Sequence, residues 1–281
     1  MDIVITDSGV GGLSVCAYAE RFVRTHGFTE PVRLTFANAA PENDYGYNAM
    51  PSRDAKIETF DRFLTNVTER YQPDLIYVAC NTLSVLMPDT PYVRSARVPV
   101  KGIVETGVKL LVDALGADGV AMIFATQTTI DAGTYQRALR DRGIADARIV
   151  AQACPRLADT ISEDREGTKT RGEIERWVHT AMGKMSDPAA PVVACLACTH
   201  YGYRKSVFEA ALGHAKVINP NETAVEDIFP RGGRSHDVEV QFVTRYAIPQ
   251  ATVEALTYFL ADISPRTVEA MKNFVHVPEL F

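Results

Sequence analysis

Short, unbroken apolar runs recur along this chain at a spacing that itself repeats, and that spacing constrains the fold more than any other feature. The runs are "DIVIT" (2–6), "VRLTFA" (32–37), "DLIYVA" (74–79), "VAMIFA" (120–125), "ARIVAQA" (147–153) and "VVACLA" (192–197). Each is followed by a turn and a helix-length amphipathic segment, of which "GTYQRALRDRG" is typical. Continuous apolar character over strand length marks strands buried on both faces. Alternation with helices makes this an α/β chain with mostly parallel sheets. Asp7 ends the first run and Ala125 the fourth (125 − 7 = 118), while Cys80 ends the third and Cys198 the sixth (198 − 80 = 118). In the second and fifth runs Phe36 falls opposite Cys154 at the same offset. Three landmarks at one offset predict two similar βα halves, each presenting its loops at the carboxyl edge of a sheet.

A chain of 281 residues suits two ordinary domains. The joint is placed in "PDTPYVRSARVP" (88–99), which carries three prolines and no clear periodicity. After residue 215 come "AKVIN", the polar loop "PRGGRSHD", the strand-like "VEVQFVT" and helices. This remainder is too short for a third domain and is expected to complete the first half. The predicted domains are therefore 1–97 plus 216–281, and 98–215. With 46% hydrophobic and 23% charged residues the chain can bury a large core, and a net charge of -6 argues against nucleic acid as its main partner. No stretch approaches membrane-spanning length. The opening "MDIVITDSGVGG" lacks a basic region and reads as a buried strand rather than a signal peptide. Five cysteines, an odd number without a secretory signal, predict reduced thiols in a cytoplasmic protein.

Three stretches could carry chemistry. "TDSGVGG" (6–12) follows a strand and opens a helix, whose N-terminal amides could hold an anion. Its glycine spacing does not fit a dinucleotide fingerprint, and a plain turn capped by Ser8 remains the alternative. "VACNTLS" (78–84) puts Cys80 at a strand end, with Asn81 and Thr82 opening a helix. A thiol there is expected to have a lowered pKa, against the alternative of a small buried hydrophobe. "CTHYG" (198–202) repeats the arrangement, so the two thiols would sit at equivalent strand ends facing a shared cleft. Asp7 would accompany Cys80 and His200 would accompany Cys198. Two opposed thiols with separate acid–base partners suit removal of a proton from one face of a carbon and its return to the other. Cys195 and Cys198 also form a C-x-x-C, but no second such pair exists to complete a zinc site. Cys195 lies inside the apolar run, so it reads as core and Cys198 as chemistry.

These residues resemble a known family. "TDSGVGG", "ACNT" and "ACTHY" are similar to the "FDSGVGG", "ACNT" and "GCTHY" segments of glutamate racemases, in the cofactor-independent amino-acid racemase superfamily. "ATQTTIDAGTYQRAL" (125–139) resembles the family's T-x-x-T segment and "ACP" (153–155) its short proline turn, and the similarity runs from residue 3 to about 261. The resemblance implies two flavodoxin-like parallel-sheet domains related by pseudo-two-fold symmetry, the substrate in the cleft between them, and neither pyridoxal phosphate nor metal. It implies that Cys80 and Cys198 are the catalytic thiols, assisted by Asp7 and His200. Ser8, Asn81, Thr82, Thr126, Thr129 and Thr199 match substrate contacts, and Tyr45 and Gly46 match backbone donors to the distal carboxylate.

The chain departs from the family at several places. Asp44 stands before Tyr45-Gly46 where a proline is usual, with one extra residue after Asn38, which itself replaces a common Asp. Gly202 replaces a common Pro, and a family Glu falls on Ser162 beside Glu163. An inward Asp44 would repel a side-chain carboxylate, although a solvent-facing loop position is the favoured reading. The implied activity is racemisation of an acidic amino acid, with glutamate leading, in the direction that supplies D-glutamate for peptidoglycan. Aspartate racemase, hydantoin racemase and maleate isomerase are rivals within the superfamily, and a non-catalytic binding or regulatory relative is the rival outside it. The expected partner is a small amino acid, with no nucleic acid and no membrane. A homodimer is compatible with the sequence, and the role of the 264–281 tail is left open.

Activity is expected to survive chelator treatment, with no absorbance from a pyridoxal adduct. Loss on chelation, restored by zinc, would return Cys195 and Cys198 to the metal reading.

Overall fold

The computed structural model describes every residue except Asp44 and Pro230. Its strands are β1 (Asp2–Asp7), β2 (Val32–Asn38), β3 (Leu75–Val78), β4 (Val100–Gly102), β5 (Val120–Ala125), β6 (Ile149–Ala153), β7 (Val192–Ala197), β8 (Lys216–Ile218), β9 (Val238–Thr244) and β10 (Val275–His276). They form two sheets, in the orders β10-β9-β2-β1-β3-β4 and β6-β5-β7-β8. Every strand pair in both is parallel. The chain divides into one compact unit of Met1–Ile103 with Asn221–Phe281 and another of Val104–Pro220.

The apolar runs become strands because helices cover both faces of each sheet. Ile3, Val4 and Ile5 of β1, all of β3 and all of β5 are buried. The shared order β2-β1-β3-β4 and β6-β5-β7-β8 is the internal repeat that the spacing predicts. For the central strands the correspondence holds residue by residue. Ile5 pairs with Tyr77 and Thr6 with Val78, and 118 positions on, Ile123 pairs with Cys195 and Phe124 with Leu196.

The second and fifth runs do not keep that offset. Ile5 pairs with Phe36, but Ile123 pairs with Ala151, so Cys154 is not the counterpart of Phe36. The ladder hydrogen bond from Ala39 N to Asp7 O is matched by one from Cys154 N to Ala125 O, which makes Ala39 the counterpart. Pro155 follows at once, and without an N–H it cannot extend the ladder.

Strand pairing also moves both expected domain boundaries. β4 pairs with β3, which keeps the chain in the first unit to Ile103 rather than 97. β8 pairs with β7, which keeps residues 216–220 in the second unit. The 264–281 tail belongs to the first unit: Ser264 Oγ caps the helix Pro265–Lys272 at 3.1 Å, and β10 adds an edge to β9. The Phe281 ring then closes on Phe63 at 5.5 Å between centroids.

Cys195 is fully buried in β7, as expected of a core residue. Burial pushes its thiol up to about 12, opposed by a hydrogen bond with Tyr135, and burial likewise lifts Cys16 to about 12. Native thiols that hold their protons above the ordinary 9.0 stabilise the fold fully below pH 9 and lose that contribution as pH rises toward 12. Cys195→Ala is expected to lower unfolding free energy at pH 8 by ~1 kcal/mol through lost core volume. It should also lessen the decline above pH 9, as read from denaturant unfolding across pH 8–11.

Candidate active site

In an open parallel sheet, loops leave the carboxyl ends of neighbouring strands in opposite directions at the point where strand order reverses, and ligands bind there. In the first unit that point is the carboxyl edge of β1 and β3. Asp7 ends β1, Ser8 follows it, and Cys80 follows β3. All three meet: Cys80 Sγ lies 3.1 Å from Ser8 Oγ, and Ser8 Oγ donates to Asp7 Oδ1 at 3.4 Å. Gly12 permits this approach, because a Cβ there would sit 2.8 Å from Asp7 Oδ2 and 2.9 Å from Asp7 Cβ.

The thiol's acidity corrects the sequence expectation. Cys80 is 5% exposed, and its pKa is raised to about 12 rather than lowered. Burial is the main cause and the Asp7 charge adds to it, while the Ser8 hydroxyl and the amides of Leu83 and Ser8 pull the other way. The helix that Cys80 opens is only Asn81–Ser84. One turn carries little macrodipole, so desolvation wins. Asn81 and Thr82, in that turn, are both buried.

The loop after β2 holds Tyr45 and Gly46. The Tyr45 side chain is 40% exposed, and Gly46 is extended, leading into a 3-10 turn, Tyr47–Ala49. It is Tyr47, absent from the sequence expectations, that turns inward: its side chain is 1% exposed. Its ring stands edge-on to Phe60 at 6.4 Å, and its Oη has no hydrogen-bond partner among the described residues. Burial raises its hydroxyl well above the usual value, and the Cys80 charge raises it further. The only sequence signal was a second tyrosine two places past Tyr45. Asp44 lies outside the described residues.

Asn38 is structural here. Its amide donates to Thr244 Oγ1 at 3.3 Å and Tyr246 Oη at 3.2 Å, and its Oδ1 accepts from Ala40 N at 3.0 Å. A carboxylate could not make the two donations.

The second unit repeats the switch point at β5 and β7. Thr126 follows β5 and caps the helix Gln127–Ala132, its Oγ1 3.0 Å from Thr129 Oγ1. Cys198 follows β7 at 5% exposure, with Thr199 buried and His200 half-buried at the start of the turn Tyr201–Arg204. Tyr201 anchors that turn, donating from its fully buried Oη to Cys154 O at 3.1 Å. Its hydroxyl is raised by burial and then by the Cys198 charge.

Two departures from the family pattern gain a physical account. A Cβ at Gly202 would lie 2.6 Å from Asn219 Nδ2 and 2.9 Å from its Cγ, so proline is excluded while Asn219 holds that space. Ser162 is buried and turned onto its own helix, donating to Ala158 O at 3.0 Å, while Glu163 beside it is exposed. The structure thus gathers Asp7, Ser8 and Cys80, pairs Thr126 with Thr129, and sets Cys198, Thr199 and His200 in sequence.

Comparison with known proteins agrees with this layout. A family model described as Asp/Glu/Hydantoin racemase matches residues 13–228, which include both strand-end thiols. The glutamate racemase of Aquifex pyrophilus is 30% identical over 223 residues, 79% of this chain and 80% of that protein. That of Syntrophus aciditrophicus (strain SB) is 28% identical over 278 residues, 97% of this chain and 92% of its own. Among solved structures, the Aquifex pyrophilus glutamate racemase superposes with a TM-score of 0.66 at 26% identity, covering 93% of this chain and 95% of that one. The Campylobacter jejuni subsp. jejuni enzyme reaches 0.73 at 24% identity, covering 92% and 98%, a likeness of fold.

Gly12→Ala should push the Asp7 carboxylate from its place beside Ser8. Displacement of a catalytic group by about 1 Å can cost about 100-fold, so turnover is expected to fall by roughly 10- to 100-fold in a protein that still folds. Gly116→Ala, where a Cβ meets nothing within 4 Å, is the control and should change neither turnover nor stability.

Proposed function

The chain belongs to the Asp/Glu/Hydantoin racemase family and is an amino-acid racemase, and from that premise we propose that it interconverts L- and D-glutamate with Cys80 and Cys198 as its two acid–base groups. The observation that carries this reading is the register of the central strands. Thr6 faces Val78 and Phe124 faces Leu196, each pair two residues before a thiol. The two cysteines therefore occupy the same position in two copies of one motif. Such a pair fits a reaction that treats both faces of one carbon alike.

The α-proton of an amino-acid zwitterion is weakly acidic, so the base that removes it has to be strong. A thiol whose pKa stands near 12 is a stronger base, once ionised, than an ordinary one. It has first to lose its proton. Ser8 bridges Cys80 and Asp7, so the thiol proton can pass to Ser8 Oγ as the Ser8 proton passes to the Asp7 carboxylate. The substrate's α-ammonium favours thiolate formation in the same pocket. His200, two residues beyond Cys198, takes the corresponding part in the second unit. Hydroxyls and amides of Asn81, Thr82, Thr126, Thr129 and Thr199 are the groups suited to hold the substrate carboxylates and the charge that develops at Cα. Tyr45 and Gly46 would serve the distal carboxylate through their backbone, since the Tyr45 side chain points outward.

D-Glutamate made this way would feed peptidoglycan synthesis. None of the five cysteines is in a disulfide, in keeping with work in a reducing cytoplasm, and no helix among the described residues is long and apolar enough to cross a membrane. No resident cofactor enters the scheme.

The decisive experiment follows exchange of the α-proton with deuterated solvent for each enantiomer. Cys80→Ala and Cys198→Ala should each abolish racemisation, a loss of at least about 1,000-fold. By analogy with the family, Cys80 serves D-glutamate and Cys198 the L-enantiomer. Each variant should therefore still exchange the enantiomer that its remaining thiolate can reach. Full racemisation by either variant would refute the two-thiol scheme, and turnover of aspartate in preference to glutamate would replace the substrate.

A further inference from the structure

Asn221 is fully buried, although it sits near the start of the helix Pro220–Ile228, where the chain returns to the first unit. An alanine would be the better helix former there and would bury no amide. The side chain instead reaches back 207 positions, and its Nδ2 donates to Ser14 Oγ at 2.8 Å. Ser14 is also buried and spends its one hydroxyl proton on Gly11 O at 3.1 Å, so it meets Asn221 as an acceptor. The helix that presents Asn221 is itself held. Lys101 Nζ of β4 donates to Asp227 O near the far end of that helix at 2.7 Å, and Ala224 and Ile228 are buried. A fixed element of the fold is thereby tied, through two side chains, to Gly11 in the loop that carries Ser8.

We propose that Asn221 is a positioning residue for the Ser8 loop, locking the Ser14 hydroxyl so that the Gly11 peptide, and with it Ser8, keeps its place beside Asp7 and Cys80. This rests on the reading of Cys80, Ser8 and Asp7 as a working proton path. That path leaves little room for drift, since Ser8 Oγ lies 3.1 Å from Cys80 Sγ and 3.4 Å from Asp7 Oδ1. The loop that holds Ser8 reads Ser8-Gly9-Val10-Gly11-Gly12. A stretch so rich in glycine does not keep one shape through its own backbone preferences. It has to be held from outside, and the Asn221–Ser14–Gly11 chain does this. Gly12 packs so closely on Asp7 that a Cβ would lie 2.8 Å from Oδ2, so a shift of the Gly11–Gly12 peptide is felt at the carboxylate. Alone, the Ser14 hydroxyl could swing to another rotamer and release Gly11 O. Accepting from Asn221 fixes that rotamer and leaves the Ser14 proton aimed at the carbonyl. Both bonds are buried, where each strengthens the other.

The test separates the two half-reactions. Asn221→Ala is placed in Cys198→Ala, where Cys80 alone exchanges the α-proton of D-glutamate with deuterated solvent, and in Cys80→Ala, where Cys198 alone exchanges that of L-glutamate. Loss of the tie should slow D-glutamate exchange about 10-fold, short of the roughly 100-fold that a 1 Å displacement can cost, and leave L-glutamate exchange unchanged. Ser14→Ala cuts the same tie from its other end. As a small change in the first turn of the helix Leu13–His26, it carries the test if Asn221→Ala does not fold. In Ser14→Ala the D-glutamate exchange should fall at least as far, and adding Asn221→Ala should cost nothing more, because both substitutions remove one link. Unchanged D-glutamate exchange would overturn the proposal. Equal slowing of both enantiomers would also overturn it, since general loosening of the fold produces that result, and so would additive effects of the two substitutions. Failure of the underlying reading is distinguishable, because it would appear as racemisation retained in Cys80→Ala before either substitution is introduced.

Discussion

Everything in this molecule that can do chemistry is confined by one constraint: strands buried on both faces have no room for polar side chains except where they end. β1, β3, β5 and β7 run through their sheets as nearly pure apolar segments, so reactive groups are pushed to the carboxyl edge, where the chain turns into a helix. Parallel pairing then brings those ends together. Thr6 beside Val78 forces Asp7, Ser8 and Cys80 into one neighbourhood, and Phe124 beside Leu196 does the same for Thr126 and Cys198. Cys80 and Cys198 follow β3 and β7 directly and so share that edge.

That position sets the acid–base problem the enzyme has to solve. At the strand end Cys80 is still buried, and desolvation lifts its pKa to about 12. A thiol so placed is a strong base that is seldom ionised, and a neighbouring carboxylate makes ionisation harder while Asp7 keeps its charge. The two properties are reconciled if charge moves rather than accumulates. On the proposed scheme the Cys80–Ser8–Asp7 chain would let the thiolate form as the carboxylate is neutralised, with the substrate ammonium compensating the rest. Water is excluded by the same packing that raises the pKa, so each donor aimed at the sulfur counts for more than it would at the surface.

How far this was legible in the sequence follows from how local each signal is. The runs that became β1, β2, β3, β5 and β7 announced themselves because a doubly buried strand cannot hide its composition, while β6, an edge strand of alternating burial, showed as an apolar run all the same. The identical offset of both thiols survived folding because the β1–β3 and β5–β7 registers are the same. β4 was not legible: it is three residues, Val100–Gly102, one of them an exposed lysine. β10 is two exposed residues on an edge. Missing β4, and sending β8 back to the first half, misplaced both domain boundaries. The register of β6 was lost because its connection from β5 is three residues shorter than that from β1 to β2, which only the strand pairing reveals. The direction of the Cys80 shift was lost because a helix start is visible in sequence, while its length and the burial around it are tertiary. Tyr47 was invisible for the same reason, being singled out by what its hydroxyl fails to touch.

The departures from the family pattern teach a related lesson about reading substrate choice from single positions. Gly202 stands in place of a common proline, and Asn219 fills the volume a Cβ would need. The unit of change is a pair of residues, brought together by β8 and invisible to any reading that takes position 202 alone. Asn38 tells the same story: its amide ties the end of β2 to Thr244 and Tyr246 beyond β9. A carboxylate there could only accept from the two hydroxyls, so both bonds would have to reverse direction. Each exchange is thus accompanied by partners that keep the surrounding backbone hydrogen-bonded and packed. A substitution compensated in this way preserves the geometry of the strand ends, and it is that geometry, more than the identity of the exchanged residue, that holds Asp7 and the CTHYG turn in place. Specificity in this chain is therefore to be sought in groups that such pairs leave uncompensated.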